Sequence, residues 1–329
     1  MTVLVTGGAG YIGAHTVREL IRRGREVVVL DTLELGHRAA VGEVPLVVGS
    51  SGDAELVRRV CADHRVDSVI HFAAYKNVGE SMANPLKYWE NNVAGTVELF
   101  RALRDAGVGR LVFSSSCSVY GTPANLPVDE DAPIAPESVY AQTKATIEQL
   151  LDWNDQTIGF RSASLRYFNA AGASADGSLG EDWTQSLNLI PLVMKATLGR
   201  RPPVHVFGDD YPTPDGTCVR DYVHVDDLAD AHVRALDHLE QHDRSLAVNL
   251  GTGRGSSVME VIETTARISG LEVPYDVVPR RIGDPVSVYA DPSRARELLD
   301  WTPQHGLEDI ISSAWRWHST HLDGYDAAA

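Results

Sequence analysis

Three polar residues have the types and spacing needed for proton transfer at a hydroxyl group. Tyr140 and Lys144 are four residues apart in "YAQTK", so on a helix they share one face. A free phenol has a pKa of about 10, and a neighbouring ammonium lowers that pKa because it stabilises the phenolate. Ser116, in "SSSCSVYG" (114–121), could hydrogen-bond the reacting oxygen and share the proton path. Together the three side chains indicate acid–base catalysis with Tyr140 as the base.

A glycine-rich loop stands near the beginning of the sequence, in "TGGAGYIG" (6–13). Gly7 permits a sharp turn, Gly10 lets backbone N–H groups approach a pyrophosphate, and Gly13 lets the following helix lie close to the sheet. Asp31 ends the next strand, where its carboxylate could accept a ribose 2′-OH and would repel a 2′-phosphate. The loop therefore predicts a bound dinucleotide, NAD rather than NADP.

This loop changes the interpretation of the polar trio. An isolated Y-x-x-x-K pattern is usually a surface pair on a helix. Beside an oxidised nicotinamide, whose ring is positive, the Tyr140 phenolate gains a second stabilising cation. Lys144 could also donate to the nicotinamide ribose.

The elements that must position these residues alternate along the first half of the chain. Short, β-branched runs suit strands buried on both faces of a parallel sheet. The runs are 2–6, 26–30, 45–49, 67–73, 110–115 and 162–168, and the helical patterns between them are 12–23, 53–64, 85–107 and 139–158. This alternation predicts an α/β fold with a doubly wound (Rossmann) parallel sheet.

Beyond Asn169 the pattern changes to glycine-rich and turn-forming segments, at 170–183 and 209–225. A further buried strand is expected at 246–251, and a capping box, Ser257 with Glu260, predicts a helix over 257–269. We therefore expect a smaller C-terminal α/β substrate domain beside the NAD-binding one. The boundaries predicted are 1–168 plus roughly 219–250 for the NAD-binding domain, and 169–218 with 251–329 for the substrate domain.

The composition restricts the partners. The 329 residues contain 29 basic and 45 acidic side chains, a net charge of −16, which argues against non-specific binding to nucleic acid or to an anionic membrane. Cys61, Cys117 and Cys218 are in no metal-ligand spacing, so we expect a reduced, cytoplasmic setting and no metal. Strand-like sequence from Thr2 leaves no room for a signal peptide, and no apolar run approaches the about 18 residues of a spanning helix.

The glycine loop, Ser116 and the Tyr140–Lys144 pair resemble the extended short-chain dehydrogenase/reductase family. More specifically, several stretches resemble the UDP-glucose 4-epimerases, also called UDP-galactose 4-epimerases. They are "HFAAYKNVGES" (71–81), "NNVAGT" (91–96), "RYFNAAGA" (166–173), "GEDW" (180–183), "FGDDYPTPDGTCVRDYVHVDDLADAH" (207–232) and "PRRIGD" (279–284). The resemblance runs nearly from end to end, and 207–232 is its most specific part.

The resemblance implies redox-neutral C4 epimerisation of a UDP-hexose, as in galactose metabolism. Tyr140 would take the proton of the sugar 4-OH while C4 gives hydride to bound NAD⁺. The 4-keto sugar would swing about its pyrophosphate linkage, and the transient NADH would return hydride to the opposite face. The resemblance also implies a homodimer, in which the helices near 85–107 and 139–158 form a four-helix bundle with those of a second subunit; intrachain packing of these helices is the alternative.

The resemblance also implies a set of binding residues, with arginines as bidentate partners of the UDP phosphates. On the cofactor side these are Gly7, Gly10, Tyr11, Ile12, Gly13, Asp31, Phe72, Ala73, Lys76, Asn91, Ser114, Tyr140, Lys144 and Phe168. On the substrate side they are Lys76, Ser116, Tyr140, Asn169, Asn188, Leu189, Arg220, Arg281, Asp284 and Val288.

Some of these charged residues have simpler interpretations. Arg220 could form a strand-end salt bridge with Asp221, and Lys76 could be a mobile surface lysine. Asp226 and Asp227 are expected to cap the helix that follows them rather than act as catalytic acids. The acidic run at 129–131 is expected to be a solvated loop.

Two departures from the family pattern bear on function. Gly49-Ser50-Ser51 stands where the family has G-D-[IVL], whose Asp contacts the adenine amino group, so the adenine could be held differently and NAD more weakly. Val288 stands where strict glucose/galactose enzymes have a bulky Tyr that limits the sugar. The smaller side chain suggests N-acetylated UDP-hexoses as possible further substrates.

Three alternative functions remain at this stage. A nucleotide-sugar 4,6-dehydratase is disfavoured, since related dehydratases place Asp-Glu where this chain has Cys117-Ser118. A C4 epimerase of UDP-glucuronate or UDP-pentoses stays open, because such enzymes differ mainly in the sugar pocket. A catalytically inactive NAD-binding sensor would be a different class of protein, and the intact Ser116, Tyr140 and Lys144 argue against it.

Overall fold

The computed structural model describes residues 1–184, 186–281 and 284–325. The strands, in chain order, are β1 (Thr2–Thr6), β2 (Glu26–Asp31), β3 (Leu46–Val48), β4 (Val66–His71), β5 (Arg110–Ser114), β6 (Arg161–Tyr167), β7 (Asn169–Ala171), β8 (Val204–Phe207), β9 (Val219–Arg220), β10 (Tyr222–His224), β11 (Leu246–Leu250), β12 (Ser256–Ser257), β13 (Tyr275–Val278) and β14 (Ser287–Val288). The α-helices are α1 (Tyr11–Arg22), α2 (Arg38–Val41), α3 (Ala54–His64), α4 (Val78–Ala83), α5 (Pro85–Tyr88), α6 (Gly95–Asp105), α7 (Val139–Ile158), α8 (Leu189–Thr197), α9 (Val225–His242), α10 (Val258–Ser269), α11 (Ser293–Leu299) and α12 (Leu307–Thr320). A π-helical turn (Trp89–Ala94) joins α5 to α6, and a 3₁₀ turn (Cys117–Tyr120) follows β5.

A parallel sheet forms the centre of the part of the chain that the structure describes. Its seven strands lie in the order β11-β6-β5-β4-β1-β2-β3, and each pairing is parallel. All five residues of β1 are buried, because helices cover both faces of the sheet. The strand order reverses between β1 and β4, the place where a doubly wound sheet opens a ligand crevice at its carboxyl edge. The predicted doubly wound α/β fold is confirmed.

Apolar side chains lock the sheet from both sides. On one face Val17 and Leu20 of α1 and Leu236 of α9 share a buried cluster with the strands. On the other face Leu99 of α6 and Ile147 of α7 belong to a second such cluster. Close-packed interiors have low compressibility. The ends of the strands therefore hold the residues that follow them in defined positions.

The chain leaves the central sheet after β6 and returns to it with β11, which pairs with β6 at the edge. Between and after these strands lie the smaller sheets β10-β7, β12-β9-β14 and β13-β8. A separate apolar cluster, which includes Trp183, Ile190, Met194 and Ile311, packs α8, α10 and α12 beside them. The return of β11 agrees with the strand expected at 246–251, whereas the domain boundaries stay a prediction.

The helix expected at 85–107 is interrupted. Its middle is the π-helical turn, where the Asn92 side chain accepts from the Tyr75 amide at 2.9 Å and donates to the Tyr75 carbonyl at 3.0 Å. These two bonds hold the loop after β4 against the helix. Such bulges often occur at functional sites, and this one carries Asn91.

None of the helices in the described ranges is both long enough and apolar enough to cross a membrane.

The capping box expected at α10 is present, and it generates the first testable prediction. Ser257 accepts from the Glu260 amide at 3.0 Å, and the Glu260 carboxylate accepts from the Ser257 amide at 2.7 Å. Glu260→Ala should lower the free energy of unfolding by about 1 kcal/mol, because it leaves a helix N–H unpaired. Glu263→Ala, an exposed position of the same helix, is the matched control and should change stability by less than about 0.5 kcal/mol. Equal losses in urea denaturation would show that the box is not the cause.

Candidate active site

The base candidate lies at the start of α7, at the carboxyl edge of the sheet. Ser138 caps this helix by accepting from the Ala141 amide at 3.2 Å. The Tyr140 amide donates to Ser81 Oγ at 3.1 Å, which ties the helix start to α4. Tyr140 and Lys144 therefore share one helical face, as their spacing predicted.

Lys144 is buried, with 3% of its surface exposed. Its ammonium donates to the carbonyl of Ser114, the last residue of β5, at 2.6 Å. The Nζ atom lies 4.7 Å from the ring centroid of Phe113 and 5.9 Å from that of Tyr140. Burial lowers the pKa of Lys144 to about 7, and the charge of Glu148 opposes this shift.

Ser116 is the N-cap of the 3₁₀ turn, and this role directs its proton. Its Oγ atom accepts from the Ser118 amide at 3.2 Å and from the Ser118 hydroxyl at 2.9 Å. A hydroxyl has two acceptor lone pairs and one donor, so the Ser116 proton is left for Tyr140 or a substrate oxygen. The structure thus brings together Ser116, Tyr140 and Lys144 as predicted.

The surroundings that the chain itself provides raise the pKa of Tyr140, whereas an oxidised nicotinamide is expected to lower it. Burial raises the pKa of Tyr140 well above its usual value, and its hydrogen bond with Ser116 opposes the rise. A positive charge close to the phenol would oppose the effect of burial and make Tyr140 a stronger base.

A buried ion pair between Arg166 and Glu148 lies next to the residues of the Ser116–Tyr140–Lys144 trio. The Arg166 guanidinium binds the Glu148 carboxylate at 2.6 Å, and both side chains are less than a tenth exposed. Glu148 also accepts from the Ser115 hydroxyl, and Arg166 donates to Tyr120 at 2.9 Å. These contacts join α7, β6 and the segment after β5, so they fix the places of Lys144 and Ser116.

The glycine loop has the geometry of a dinucleotide cradle. Gly7 has φ of +73°, and a Cβ atom there would lie 2.6 Å from the Ala73 amide nitrogen. A Cβ atom on Gly13 would lie 2.2 Å from the Gly7 carbonyl oxygen. Gly10 is the N-cap of α1 and brings no side chain between the first-turn N–H groups and a ligand. Both Gly7 and Gly13 are therefore required by close approach, and the N-terminus of α1 is open to a phosphate.

Asp31 stands beside this cradle as the last residue of β2. The residue is 8% exposed, and its carboxylate accepts from the Ala9 and Leu33 amides, each at 2.9 Å. The loop and the acid thus hold each other in place. A fixed carboxylate next to a glycine cradle matches the ribose of NAD and would repel the 2′-phosphate of NADP.

The remaining cofactor candidates surround the same edge, but two of them point elsewhere. The Tyr11 hydroxyl donates to the Gly172 carbonyl at 2.6 Å, and Ile12 packs on the core beneath α1. Any contact of these two residues with phosphate would therefore come from their backbone. Phe72 and Ala73 follow β4, and both donate their amides to the Thr6 carbonyl.

Asn91, on the π-helical turn, is exposed and lies across an open cleft from the departure at Gly49-Ser50-Ser51. Ser50 Oγ there accepts from the Gly52 amide at 3.1 Å, while Asp53 caps α3. The Asp53 carboxylate, the first one after Gly49-Ser50-Ser51, therefore serves as the N-cap of α3.

The substrate candidates Arg220, Asp284 and Arg281 are close in the structure. Arg220 donates to Asp284 at 3.3 Å and to the Pro285 carbonyl at 2.9 Å. The Arg281 guanidinium lies 4.3 Å from the ring centroid of Phe207. The alternative pairing of Arg220 with Asp221 is wrong: Asp221 is fully buried and accepts from Thr252 and Ala290 instead.

Val288 and Phe168 connect this group to the catalytic trio. Val288 is the register partner of Arg220 in the β14–β9 pair. It packs against a small apolar cluster that contains Phe168 and Val119, with Cys117 at its margin. The proposed sugar gate is therefore next to both Arg220 and the 3₁₀ turn of Ser116.

The other substrate candidates lie on β7, at the start of α8 and after β4. Asn169 begins β7 and donates its side-chain amide to the Asp221 carbonyl at 3.0 Å. Asn188 is the N-cap position of α8, and Leu189 is the first residue of that helix. Lys76 is 63% exposed, with its ammonium 4.0 Å from the Glu181 carboxylate.

Three simpler interpretations are corrected by long-range contacts. His224, not Asp226 or Asp227, caps α9. Asp226 binds His15 at 2.6 Å, and Asp227 accepts from the Gln304 and His305 amides, each at 3.1 Å. In the acidic run at 129–131, Glu130 is not solvated: its side chain is 4% exposed and accepts from the Asn249 amide at 2.6 Å.

Sequence reasoning missed Ser118, Glu148 and Glu181 as supports of the site. Ser118 and Glu181 lie in stretches already singled out, "SSSCSVYG" and "GEDW", so their places in motifs were a signal. Glu148 follows Lys144 by one helical turn, but its partner Arg166 is on another element. The sequence alone gave no sign of that pairing.

Comparison with known proteins defines the class. The family model of the NAD dependent epimerase/dehydratase family matches residues 3–251, and the chain belongs to this family.

The similarity extends to particular enzymes over nearly the whole chain. The UDP-glucose 4-epimerase of Lactobacillus helveticus is 47% identical over 328 residues, which is 99% of each chain. The crystal structure of UDP-glucose 4-epimerase from Stenotrophomonas maltophila, with bound NAD and formylated UDP-arabinopyranose, is 42% identical, covers 100% of both chains and has a TM-score of 0.95. The Bifidobacterium longum enzyme in complex with NAD⁺ and UDP is 40% identical, covers 98% of this chain and 100% of its own, and has a TM-score of 0.92.

The lowered pKa of Lys144 generates a pH-dependent prediction. Between its folded pKa of about 7 and its unfolded pKa of about 10.4, the lysine is neutral when folded and charged when unfolded. Unfolding then takes up a proton, so this group makes stability rise with pH across that window. The free energy of unfolding of the ligand-free chain should rise relative to Lys144→Met by at most ~1.4 kcal/mol per pH unit between pH 7 and 9.

The comparison uses urea denaturation of both proteins at each pH, since other titrating groups then cancel. Below about pH 6 the difference should be constant, because the lysine is charged in both states. A difference that is constant up to pH 9 would show that Lys144 keeps an ordinary pKa.

Proposed function

We propose that this protein catalyses the C4 epimerisation of a UDP-hexose, interconverting UDP-glucose and UDP-galactose with NAD as its resident cofactor. The observation that carries the proposal is the placement of two sets of residues close to one edge of the sheet. The glycine cradle and the Ser116–Tyr140–Lys144 trio lie at the carboxyl ends of β1 and β5, and Val288 connects the Arg220–Asp284 pair to the apolar cluster beside the 3₁₀ turn of Ser116. The full-length similarity to UDP-glucose 4-epimerases supports the same conclusion.

The residues of the chain divide the chemistry between them. When bound, NAD⁺ supplies a reversible hydride acceptor, and the cradle of Gly7, Gly13 and Asp31 fits it. Tyr140 removes the proton of the sugar 4-OH and later returns a proton to the same oxygen, on either face of the ring. Ser116 donates a hydrogen bond to that oxygen and keeps its proton, and Lys144 stabilises the phenolate form of Tyr140.

Binding of the substrate is proposed to be uneven along its length. Arg220 and Arg281 offer planar, charged donors to the diphosphate and ribose. The sugar end meets Val288, an apolar side chain that makes no hydrogen bond. A nucleotide held firmly and a sugar held loosely would let the ring turn over between the two halves of the reaction.

Dehydration is disfavoured by the group that stands where dehydratases place an acid. Burial raises the pKa of Cys117 to about 12, so the side chain stays a neutral thiol and is a poor acid at neutral pH. The Ser118 hydroxyl donates its proton in a hydrogen bond to Ser116 Oγ. UDP-glucuronate and UDP-pentoses remain alternative substrates of the same C4 chemistry.

A homodimer is proposed through the outer faces of α6 and α7. Val97, Trp153 and Ile158 on these helices are 37%, 64% and 57% exposed. Apolar side chains exposed on these helices favour association with a second copy.

The three cysteines are free in the described chain, which favours the cytoplasmic setting expected from the sequence.

The test of the proposed function is turnover of a panel of UDP-sugars by purified protein without added reductant. Conversion of UDP-galactose to UDP-glucose without net NADH supports epimerisation. Stoichiometric NADH release would indicate a dehydrogenase, a 4-keto-6-deoxy product a dehydratase, and no turnover with NAD bound an inactive sensor.

Removal of the base should abolish most of this turnover. Tyr140→Phe is expected to lower kcat on the order of 10²- to 10⁴-fold, because no other group takes the proton as directly. Bound NAD, measured by chromatography of the cofactor released on denaturation, should remain. Tyr275→Phe, at an exposed phenol on β13, is the matched control and should keep full turnover. Full activity of Tyr140→Phe would remove Tyr140 as the base.

The gate residue generates a prediction about substrate size. Val288→Tyr should lower kcat/KM for UDP-N-acetylgalactosamine about tenfold or more relative to UDP-galactose, because the larger ring fills the room for the acetamide. Val288→Thr keeps the size and should keep the ratio. An unchanged ratio in Val288→Tyr would place the size limit elsewhere.

A further inference from the structure

A buried carboxylate in the "GEDW" stretch has no role in the chemistry described so far. The side chain of Glu181 is 7% exposed. Its Oε1 atom accepts from the Asn188 side-chain amide and from the Ser186 hydroxyl, each at 2.8 Å. The Lys76 ammonium lies 4.0 Å from the same oxygen.

The backbone of Glu181 is itself held firmly. The Trp317 indole donates to the Glu181 carbonyl at 3.0 Å, and the Tyr325 hydroxyl donates to the Gly180 carbonyl at 3.0 Å. A Cβ atom on Gly180 would lie 2.3 Å from the Trp317 ring, so only glycine allows this approach. The carboxylate therefore stands at a fixed point between Lys76, which follows β4, and the start of α8.

A buried acid is costly, and its partners here are the groups expected at the substrate. Burial raises the pKa of Glu181, while Lys76, Ser186 and Asn188 oppose the rise. A buried carboxylate is tolerated only where charge and hydrogen bonds compensate for its lost hydration. For core packing alone, an apolar side chain of similar size would serve as well. The acid is better explained by what it does to Asn188 and Lys76.

We propose that Glu181 is a positioning residue for the substrate, which sets the direction of the Asn188 carboxamide and anchors the Lys76 ammonium at the cleft. A carboxylate only accepts hydrogen bonds, so the Asn188 nitrogen must face it and the Asn188 oxygen is left for the ligand. Asn188 thus offers an acceptor to an N–H or O–H of the nucleotide. This inference rests on the proposed function for the identity of that nucleotide.

The experiment measures UDP binding by calorimetry and, separately, KM and kcat for UDP-galactose. Glu181→Ala should weaken UDP binding and raise KM by about tenfold, while kcat changes less than about threefold, because Asn188 loses its orientation but the trio is untouched. Glu181→Gln keeps a carbonyl acceptor for Asn188 and Ser186 and should restore most of the UDP affinity. The remaining deficit of Glu181→Gln reports the lost charge opposite Lys76.

Two further variants separate positioning from folding. Glu130→Gln changes another buried carboxylate, and it should lower the melting temperature without changing UDP binding. If Glu181 acts through Asn188 and Lys76, the double variant Glu181→Ala/Asn188→Ala should bind UDP more weakly than Asn188→Ala alone by no more than the deficit of Glu181→Gln. Additive losses in the double variant would overturn the proposal, and so would wild-type UDP affinity in Glu181→Ala.

The outcomes also distinguish this inference from the proposed function. If wild-type protein epimerises UDP-galactose and the Glu181 variants match it in affinity and KM, only the positioning role fails. If wild-type protein binds UDP but converts no UDP-sugar, the proposed function fails, and UDP binding by the Glu181 variants still decides the role of Glu181. If Glu181→Ala does not fold, Glu181→Gln and Asn188→Ala carry the same comparison.

Discussion

The proposed catalytic trio depends on one buried ammonium. Lys144 is buried, donates to the Ser114 carbonyl and is bordered by the rings of Phe113 and Tyr140. Glu148, one turn further along α7, is already engaged by Arg166. The cation is therefore only partly compensated, and its pKa falls to about 7. A charge placed near such a partly compensated ammonium changes its pKa.

Burial lowers the pKa of Lys144 and raises the pKa of Tyr140, so it disfavours the charged form of both side chains. For Tyr140, burial thus favours the neutral phenol. The positive ring of an oxidised nicotinamide would favour the phenolate, since an added cation stabilises the charged form of an acid. An oxidised cofactor would therefore make Tyr140 a stronger base. This coupling suits a reaction in which proton and hydride must leave the same carbinol together.

The local part of this arrangement could be predicted from the sequence. Buried parallel strands have continuous apolar runs, the glycine loop has fixed spacing, and Tyr140 and Lys144 share a helix. The interruption of the helix at 85–107 could not be predicted, because Asn92 bonds to Tyr75 on a separate segment. Asp226 failed as a cap for the same reason, since its partner His15 is 211 residues away. Local rules find local structure, whereas buried ion partners are decided by the fold.

Net charge describes the whole surface and does not exclude a local site for an anion. The chain carries −16, yet Arg220 and Arg281 both lie close to Asp284. Arg220 is already oriented by Asp284 and by the Pro285 carbonyl before any ligand arrives. A guanidinium has five N–H donors, so it can keep these partners and still bind a phosphate. Because the orienting entropy is spent in folding rather than in binding, the diphosphate end can be held firmly. A sugar that meets the apolar Val288, as proposed, would have no comparable restraint and would be free to turn.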